Sequence, residues 1–130
     1  MVSIKKFEEI IAWQKARELN AKIYFITNNA AISKDYGLRD QMRRSSISVM
    51  SNIAEGFERK GDKEFLRFLS ISKSSCAELK SQLYAAYDVK LISVEDFEML
   101  ISGADEVSKL IQGFKSYLKK SKSPTNRLTD

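Results

Sequence analysis

The sequence predicts an all-α protein, folded as an antiparallel up-down-up-down four-helix bundle. Only one proline and five glycines interrupt its 130 residues, and so few helix breakers favour long helices over short strands joined by turns. Hydrophobic residues make up 43% of the chain and charged residues 30%, a balance typical of a globular domain with a packed core. Apolar residues recur at spacings of three and four, and short connections between four such segments favour antiparallel neighbours.

The first helix is expected to run from about residue 4 to residue 27. Its apolar stripe repeats at threes and fours and comprises Phe7, Ile10, Ile11, Leu19, Ile23 and Ile26. Trp13, Ala16, Tyr24 and Phe25 widen the apolar surface, so this helix should touch more than one neighbour. We interpret its aromatic side chains as core or subunit-interface residues.

The second and third helices follow from their capping residues and apolar stripes. Ser33 is the expected N-cap of the second helix, and Gly56 and Gly61 bracket its end. Asp62 is the expected cap of the third helix, which should end between residues 90 and 92. The stripe of the second helix comprises Leu38, Met42, Val49, Ile53 and Phe57. That of the third comprises Phe65, Phe68, Leu69, Cys76, Leu79, Leu83 and Ala86.

The fourth helix has the most regular pattern in the chain. Ser93 is its expected N-cap, and Asp96 stands three residues later in a capping-box arrangement. Its apolar positions then follow a seven-residue repeat typical of bundle seams: Phe97, Leu100, Ala104, Val107, Ile111, Phe114 and Leu118. Residues 1–120 are therefore predicted to form the bundle domain, and residues 121–130 a disordered basic tail.

Rare residue types exclude several kinds of site. A single cysteine, Cys76, and the lack of histidine exclude an intrachain disulfide, the usual zinc sites and histidine-based triads. We therefore expect no catalysis, no cofactor and no metal; a hydrolase would need two carboxylates in a cleft, and Glu55 and Glu78 are the first candidates. No apolar run is long enough to span a bilayer, and the N-terminus lacks the features of a signal peptide, so the expected location is the cytoplasm.

A ladder of polar residues stands beside the apolar stripe of the second helix. Arg44, Ser48, Asn52 and Glu55 follow at spacings of four, four and three and therefore share one face. Polar groups next to a core are costly unless they find partners. The ladder is therefore either an internal hydrogen-bond network or a binding surface.

We favour the internal network, because the third helix offers partners on one of its faces. These partners are Ser72, Ser75 and Glu78. A charge-assisted pair between Glu78 and either Arg44 or Arg43 would fix the register of the two helices.

Four motifs give the chain a resemblance to a known family. They are Trp-Gln-x-Ala at residues 13–16, Tyr-Gly-Leu-x-x-Gln-x-x-Arg at residues 36–44, Ser-Asn-Ile-Ala-Glu-Gly at residues 51–56 and Ser-x-x-Glu-Leu at residues 75–79. From about residue 7 to residue 120, the chain resembles the four-helix-bundle proteins encoded in intervening sequences of bacterial 23S rRNA genes. Accessory proteins of diversity-generating retroelements look like relatives. The resemblance implies a homopentamer, often with a basic surface or central channel, and the retroelement relatives are associated with a reverse transcriptase and with RNA.

The chain carries a net charge of +5, a mild indication of an anionic partner, although a solvated basic face would look the same. The candidate nucleic-acid-binding residues are Arg39, Arg43, Arg59, Lys60, Lys63, Arg67, Lys115, Lys119 and Lys120. We interpret Tyr117 too as a core or subunit-interface residue, although it is the one aromatic residue that stands beside lysines, Lys115, Lys119 and Lys120, as stacking on a base would require. We therefore expect a non-catalytic homo-oligomer that binds RNA or a ribonucleoprotein partner through a basic surface. The alternative is a protein-binding assembly scaffold with no nucleic-acid role.

Overall fold

The computed structural model describes residues 3–29 and 31–120 and contains four long helices. They are α1 at Ile11–Asn29, α2 at Tyr36–Glu58, α3 at Gly61–Asp88 and α4 at Val94–Lys120. Each of α1 and α3 packs against both α2 and α4, so the four helices form a closed ring around one core. Because no strand occurs in the described ranges, the predicted all-α four-helix bundle is confirmed. The predicted tail, residues 121–130, lies outside the described residues.

Side-chain contacts show that neighbouring helices run antiparallel. Along the α3–α4 pair, Lys73 contacts Gln112, whereas Lys80 contacts Asp105, so the residue number falls on α4 as it rises on α3. The same reversal relates α1 to α2 and α2 to α3. The start of α3 therefore lies level with the end of α4, at the same end of the bundle.

The core lies where the four apolar stripes meet. The predicted heptad seam of α4 is inside, with Leu100, Val107 and Ile111 at most 1% exposed. Phe65 of α3 is fully buried and meets the ring of Phe114 edge to face at 5.4 Å between centroids. Because burying one such side chain stabilises the fold by about 1.5–3 kcal/mol, these stripes provide the main driving force for helix association.

The first helix begins seven residues later than the sequence predicts. Phe7–Glu9 form a 3₁₀ turn, and Ile10 then adopts an extended conformation with φ −75° and ψ 120°. The turn allows Phe7 to pack edge to face on Trp13 at 5.1 Å, while the side chain of Ile10 enters the core. Burial of these apolar side chains thus outweighs continuation of the helix.

Ser33 and Asp62 do not cap their helices as predicted. Ser33 belongs to a second 3₁₀ turn, Ala31–Lys34, which the fully buried Ile32 anchors to the core, so Asp35 caps α2 by accepting from the Leu38 amide at 3.1 Å. Asp62 already lies inside α3, which begins at Gly61 with a φ of +78°.

The other predicted helix-end features can also be placed. α2 continues through Gly56 to Glu58, so this glycine is not the stop of the helix. The fourth helix begins as predicted, because the Asp96 amide donates to Ser93 Oγ at 3.0 Å.

Candidate nucleic-acid interface

Four polar residues between α2 and α3 form a small hydrogen-bond network. The hydroxyl oxygens of Ser48 and Ser75 lie 2.8 Å apart. Asn52 Nδ2 donates to Ser48 Oγ at 3.0 Å and to the Ser48 carbonyl at 2.8 Å. Ser72 Oγ donates to the carbonyl of Val49 at 2.6 Å, and both serines of α3 are buried. This part of the ladder therefore joins two helices and offers little to a ligand.

The carboxylates of the predicted network lie outside it. Glu55 is exposed and accepts from Arg59 on its own helix at 2.7 Å. Glu78 is also exposed, and it lies level with about residue 45 of α2, because Ser75 is level with Ser48. Ten residues of helix, about 15 Å, separate that level from Glu55, so the two carboxylates do not share a cleft.

The pairing of Glu78 with Arg43 or Arg44 is not found. Arg43 Nε donates to Thr27 Oγ1 at 2.8 Å, and its Nη2 donates to Asn28 Oδ1 at 2.7 Å, so it binds α1 and not α3. Its guanidinium also lies 4.6 Å from the centre of the Tyr24 ring. Arg44 is exposed and forms no ion pair with any residue that the structure describes.

A second polar contact between α1 and α2 was not predicted from the sequence. Ser46 Oγ donates to Asn20 Oδ1 at 2.9 Å. Asn20 and Thr27 are seven residues apart, and Arg43 and Ser46 three apart, so each pair shares a helix face. This spacing was visible in the sequence, but it did not show that this face of α2 packs against α1.

The predicted basic residues divide between the two ends of the bundle. One end holds seven of them, from the α2–α3 connection, the first two turns of α3 and the last turns of α4: Arg59, Lys60, Lys63, Arg67, Lys115, Lys119 and Lys120. We call this set the basic end. Arg39 and Arg43 lie toward the opposite end, since sixteen residues of α2, about 24 Å, separate Arg43 from Arg59. They cannot contribute to the same patch of one subunit.

The arginines of the predicted set already have partners, whereas the lysines keep their charge available. Arg39 binds Asp40 at 2.9 Å, and Arg67 binds Glu64 at 3.1 Å. The hydrogen bond from Arg67 holds the pKa of Glu64 below its ordinary value. By contrast, no ion pair within residues 3–29 and 31–120 involves the lysines of the basic end, which are Lys60, Lys63, Lys115, Lys119 and Lys120.

A polar groove of about 480 Å³ between α3 and α4 extends this positive surface along the bundle. Its lining consists of Ser70, Lys73, Ser74, Ala77, Lys80, Ser108 and Lys115. Lys73 Nζ donates to Gln112 Oε1 at 2.9 Å, and Lys80 Nζ lies 2.6 Å from Asp105 Oδ1. Of the three lysines, only Lys80 therefore has a carboxylate beside it among the described residues.

Positive charges crowd the end of this groove near the basic end. Partial burial lowers the pKa of Lys115, and the ammonium groups of Lys119 and Lys73 lower it further. Lys73 and Lys80 were not among the predicted contacts, although they are seven residues apart, as are Ser108 and Lys115 on the facing helix. An anion in the groove would relieve the repulsion among these lysines.

Tyr117 lies apart from the lysines that surround it in the sequence. Together with Phe114 it lines an apolar groove of about 440 Å³ between α1 and α4, where Ile4, Ile10 and Ile11 face it. Lys115, two residues earlier, faces α3 instead, because two residues correspond to about half a turn of helix. Among the aromatic residues of the first helix, Phe25 is 70% exposed, whereas Trp13 and Tyr24 are half-buried.

The described residues show neither a metal cluster nor a membrane-spanning helix. No group of three or more His, Cys, Asp or Glu side chains that could hold a metal ion occurs among them. No helix in the same ranges is both long and apolar enough to cross a membrane. The sole cysteine, Cys76, is buried in the core, which raises the pKa of its thiol to about 11.

Fold and site thus define the class of protein: an all-α four-helix bundle with a serine–asparagine network between α2 and α3 and a lysine-rich end. A model of the 23S rRNA-intervening sequence protein family matches residues 8–113, and the chain therefore belongs to this family. A crystal structure of a protein of unknown function from the S23 ribosomal protein family of Bacteroides thetaiotaomicron VPI-5482 is similar to it, with a TM-score of 0.74 at 22% identity. The match covers 81% of this chain and 98% of that one, and at this identity it supports the fold alone. A comparison with curated proteins found no match.

Proposed function

We propose that this protein is a non-catalytic homo-oligomer that binds RNA, or a ribonucleoprotein, through its basic end. The observation that carries the proposal is the gathering, at one end of the bundle, of five lysines that form no ion pair with any other residue the structure describes. Lysines of this kind bind phosphates without choosing a sequence, and the release of counterions from the nucleic acid drives the binding. A family named for intervening sequences of 23S rRNA supports RNA as the nucleic acid.

Assembly into a ring would raise the overall affinity for RNA of a site that is weak in a single subunit. A single basic end makes few contacts, but identical copies held together add their affinities by multivalency. The apolar groove between α1 and α4, lined by Ile11 and Phe114, and the exposed Phe25 support self-association. A pentamer is the subunit number that the family resemblance favours, and light scattering of the purified protein measures it.

Two charge-matched variants test the RNA-binding proposal. Lys63→Gln with Lys119→Gln removes two charges from the basic end, whereas Lys22→Gln with Lys34→Gln removes two exposed charges elsewhere. RNA is titrated by fluorescence anisotropy at about 50 mM and 200 mM salt, the range over which several phosphate contacts lose most of their affinity. We expect the first variant to bind about tenfold more weakly and to show a shallower salt dependence, and the control to bind like the wild type.

The contrary result is equally clear. If the RNA affinity does not depend on salt, or falls to the same extent in both variants, the basic end is not the RNA-binding site. If the oligomer binds no RNA at low salt, the protein-binding scaffold becomes the better proposal, since its apolar groove and exposed aromatic side chains are already present.

A further inference from the structure

A cluster of partly exposed aromatic rings lies on α3 and α4, about one turn of α3 beyond Lys80 of the α3–α4 groove. Tyr84 is 52% exposed and Tyr87 38% exposed, although large aromatic side chains usually bury more of their surface. Both pack on Phe97 of α4: the Tyr84 ring meets it edge to face at 5.1 Å, and the Tyr87 ring stacks on it at 4.4 Å. The cluster therefore presents rigid ring surfaces to solvent at the opposite end of the groove from the basic end.

The lysines and the tyrosines lie on one continuous stripe of α3. Lys73, Lys80 and Tyr87 follow at intervals of seven residues, and so do Ser70, Ala77 and Tyr84. Residues at this interval lie on one face of a helix, and here that face borders α4. The lysine-lined groove and the aromatic cluster are therefore aligned along one edge of α3, as the cationic half and the aromatic half of one surface beside α4.

This combination matches the chemistry of a single nucleic-acid strand. Phosphates are attracted by ammonium groups, and bases stack on exposed aromatic rings when they are not already paired and stacked in a duplex. Lys73 is held in place by Gln112, whose side chain in turn donates to Ser116 Oγ at 3.4 Å, so its ammonium group is positioned before any ligand arrives. The hydroxyls of Ser74 and Ser108 are further donors for phosphate oxygens, whereas that of Ser70 already donates to the Leu66 carbonyl.

We propose that the α3–α4 groove and the aromatic cluster beyond it bind single-stranded nucleic acid, with phosphates at Lys73 and Lys115 and a base stacked on Tyr84. This inference rests on the proposed RNA-binding function and deepens it by naming the path of the strand and its single-stranded form. Eleven residues of α3, about 16 Å, separate Lys73 from Tyr84, so the groove accommodates a short stretch of strand.

The Lys80–Asp105 pair lies at the end of the lysine-lined groove that is nearest to the aromatic cluster. Its Nζ–Oδ1 distance of 2.6 Å means that Lys80 is largely neutralised and that a carboxylate stands beside the path of the strand. Hydrogen bonding to Asp105 raises the pKa of Lys80, so the lysine remains protonated while it is paired. We therefore assign the phosphates to Lys73 and Lys115, which have no carboxylate partner among the described residues.

The test uses the intact oligomer and four variants. Lys73→Gln with Lys115→Gln alters the cationic half, and Tyr84→Leu removes the stacking ring but keeps an apolar side chain. Tyr36→Leu is the matched control, because Tyr36 is a 65% exposed aromatic residue at the N-terminal start of α2, outside this groove. Lys63→Gln with Lys119→Gln reports on the basic end alone. Each protein is titrated with a single-stranded RNA and with a hairpin duplex of equal length, with polyglutamate as a competitor.

We expect Tyr84→Leu to weaken binding of the single strand about fivefold or more while duplex binding changes little, because stacking needs an unpaired base. Lys73→Gln with Lys115→Gln should weaken binding of the single strand by a similar factor and make its salt dependence shallower. Ultraviolet crosslinking of the single strand should label the peptide that contains Tyr84 and spare the one that contains Tyr36.

The outcomes separate the two proposals. If the basic-end variant loses RNA but the groove variants bind like the wild type, the groove assignment is overturned and the basic end stands. If the wild type binds neither RNA, both fall together. The single-strand assignment would also be overturned if Tyr84→Leu lost as much affinity for the duplex as for the single strand. It would likewise be overturned if polyglutamate of equal charge displaced the single strand efficiently from the wild-type protein.

Discussion

The backbone of Gly56 in α2 packs directly against the side chain of Phe68 in α3. A Cβ atom built at position 56 would lie 2.6 Å from Phe68 Cβ and 3.0 Å from Phe65 Cδ1, distances that real side chains do not tolerate without a shift. The glycine therefore permits the close approach of the two helices near their tight connection. It is also the last residue of the Ser-Asn-Ile-Ala-Glu-Gly motif, which gives that position of the motif a packing role.

Gly56→Ala should destabilise the protein. The added methyl group would push against Phe68 Cβ, which is fixed to the α3 backbone, so the helices must separate at a cost of about 1–3 kcal/mol. Chemical denaturation at a fixed protein concentration measures the change in unfolding free energy.

Gly113→Ala is the matched control for this substitution. Gly113 lies inside α4 with no other atom within 4 Å of a built Cβ, so alanine should stabilise by up to about 1 kcal/mol through helix propensity. If both substitutions change the unfolding free energy equally, the close packing at Gly56 does not contribute to stability.

The Ser48–Ser75 hydrogen bond should couple the two helices measurably. In a double-mutant cycle of Ser48→Ala and Ser75→Ala, we expect a coupling free energy of about 0.5–1.5 kcal/mol, the usual net contribution of one internal hydrogen bond. A control cycle of Ser51→Ala and Ser75→Ala should give additive effects, because the exposed Ser51 makes no side-chain hydrogen bond to Ser75. If the changes in unfolding free energy are additive in both cycles, the network does not determine the register of the two helices.

The buried thiol of Cys76 should make stability depend on pH in the alkaline range. Burial raises its pKa from the ordinary value of 9.0 to about 11, against the opposing influence of Lys80 and Lys73. The folded state therefore keeps its proton where the unfolded state has lost it. Stability from this group is intact below pH 9, falls as pH rises from 9 to 11, and the total loss is about 3 kcal/mol.

Cys76→Ala isolates this effect from the lysines and tyrosines that titrate in the same range. The difference in unfolding free energy between wild type and variant should shrink steadily between pH 8 and pH 11, because only the wild type carries the thiol. A thiol reagent should also label the native protein slowly and the unfolded protein at once. A constant difference across this range, or rapid native labelling, would contradict the burial of the thiol.

Asp105→Asn should strengthen nucleic-acid binding with little effect on stability. The substitution releases the partly exposed Lys80, whose surface pair contributes at most about 1 kcal/mol, and adds one positive charge to the groove. One new phosphate contact should steepen the salt dependence of single-strand binding by about 0.7 in the logarithmic slope.

Glu106→Gln makes the same charge change one residue further along α4, at an exposed carboxylate that does not line the α3–α4 groove. We expect it to alter the slope much less. Filter binding of the single strand at several salt concentrations compares the two variants. If both raise affinity equally, net charge and not the position of Lys80 is responsible.

Periodicity alone predicted the four helices and most of their buried faces, although Ile11 of the first apolar stripe is 54% exposed. The heptad from Leu100 to Leu118 lies inside as expected, because the spacing of apolar residues on a helix follows from its geometry, whatever its neighbours. Helix ends were less predictable. Ser33 and Asp35 are both good caps, and the choice between them depends on Ile32, which the core buries.

The candidate site was only partly predictable for the same reason. The basic-end lysines were visible as charges, but their convergence required knowing that the start of α3 lies beside the end of α4. Lys73 and Lys80 became candidates only when α4 placed Lys115 across the groove from them. Conversely, Tyr117, which stands beside these lysines in the sequence, faces α1.

By itself, the sequence determined the all-α class, the four helices, the seam of α4 and the polar face of α2, since these follow from local spacing. The tertiary structure decided which polar groups meet: Ser48 reaches Ser75, whereas Arg43 turns to Thr27 and leaves Glu78 in solvent. Such choices depend on the rotation and register of each helix against its neighbours. Packing of the whole core sets both, down to the contact at Gly56, and no single helix encodes them.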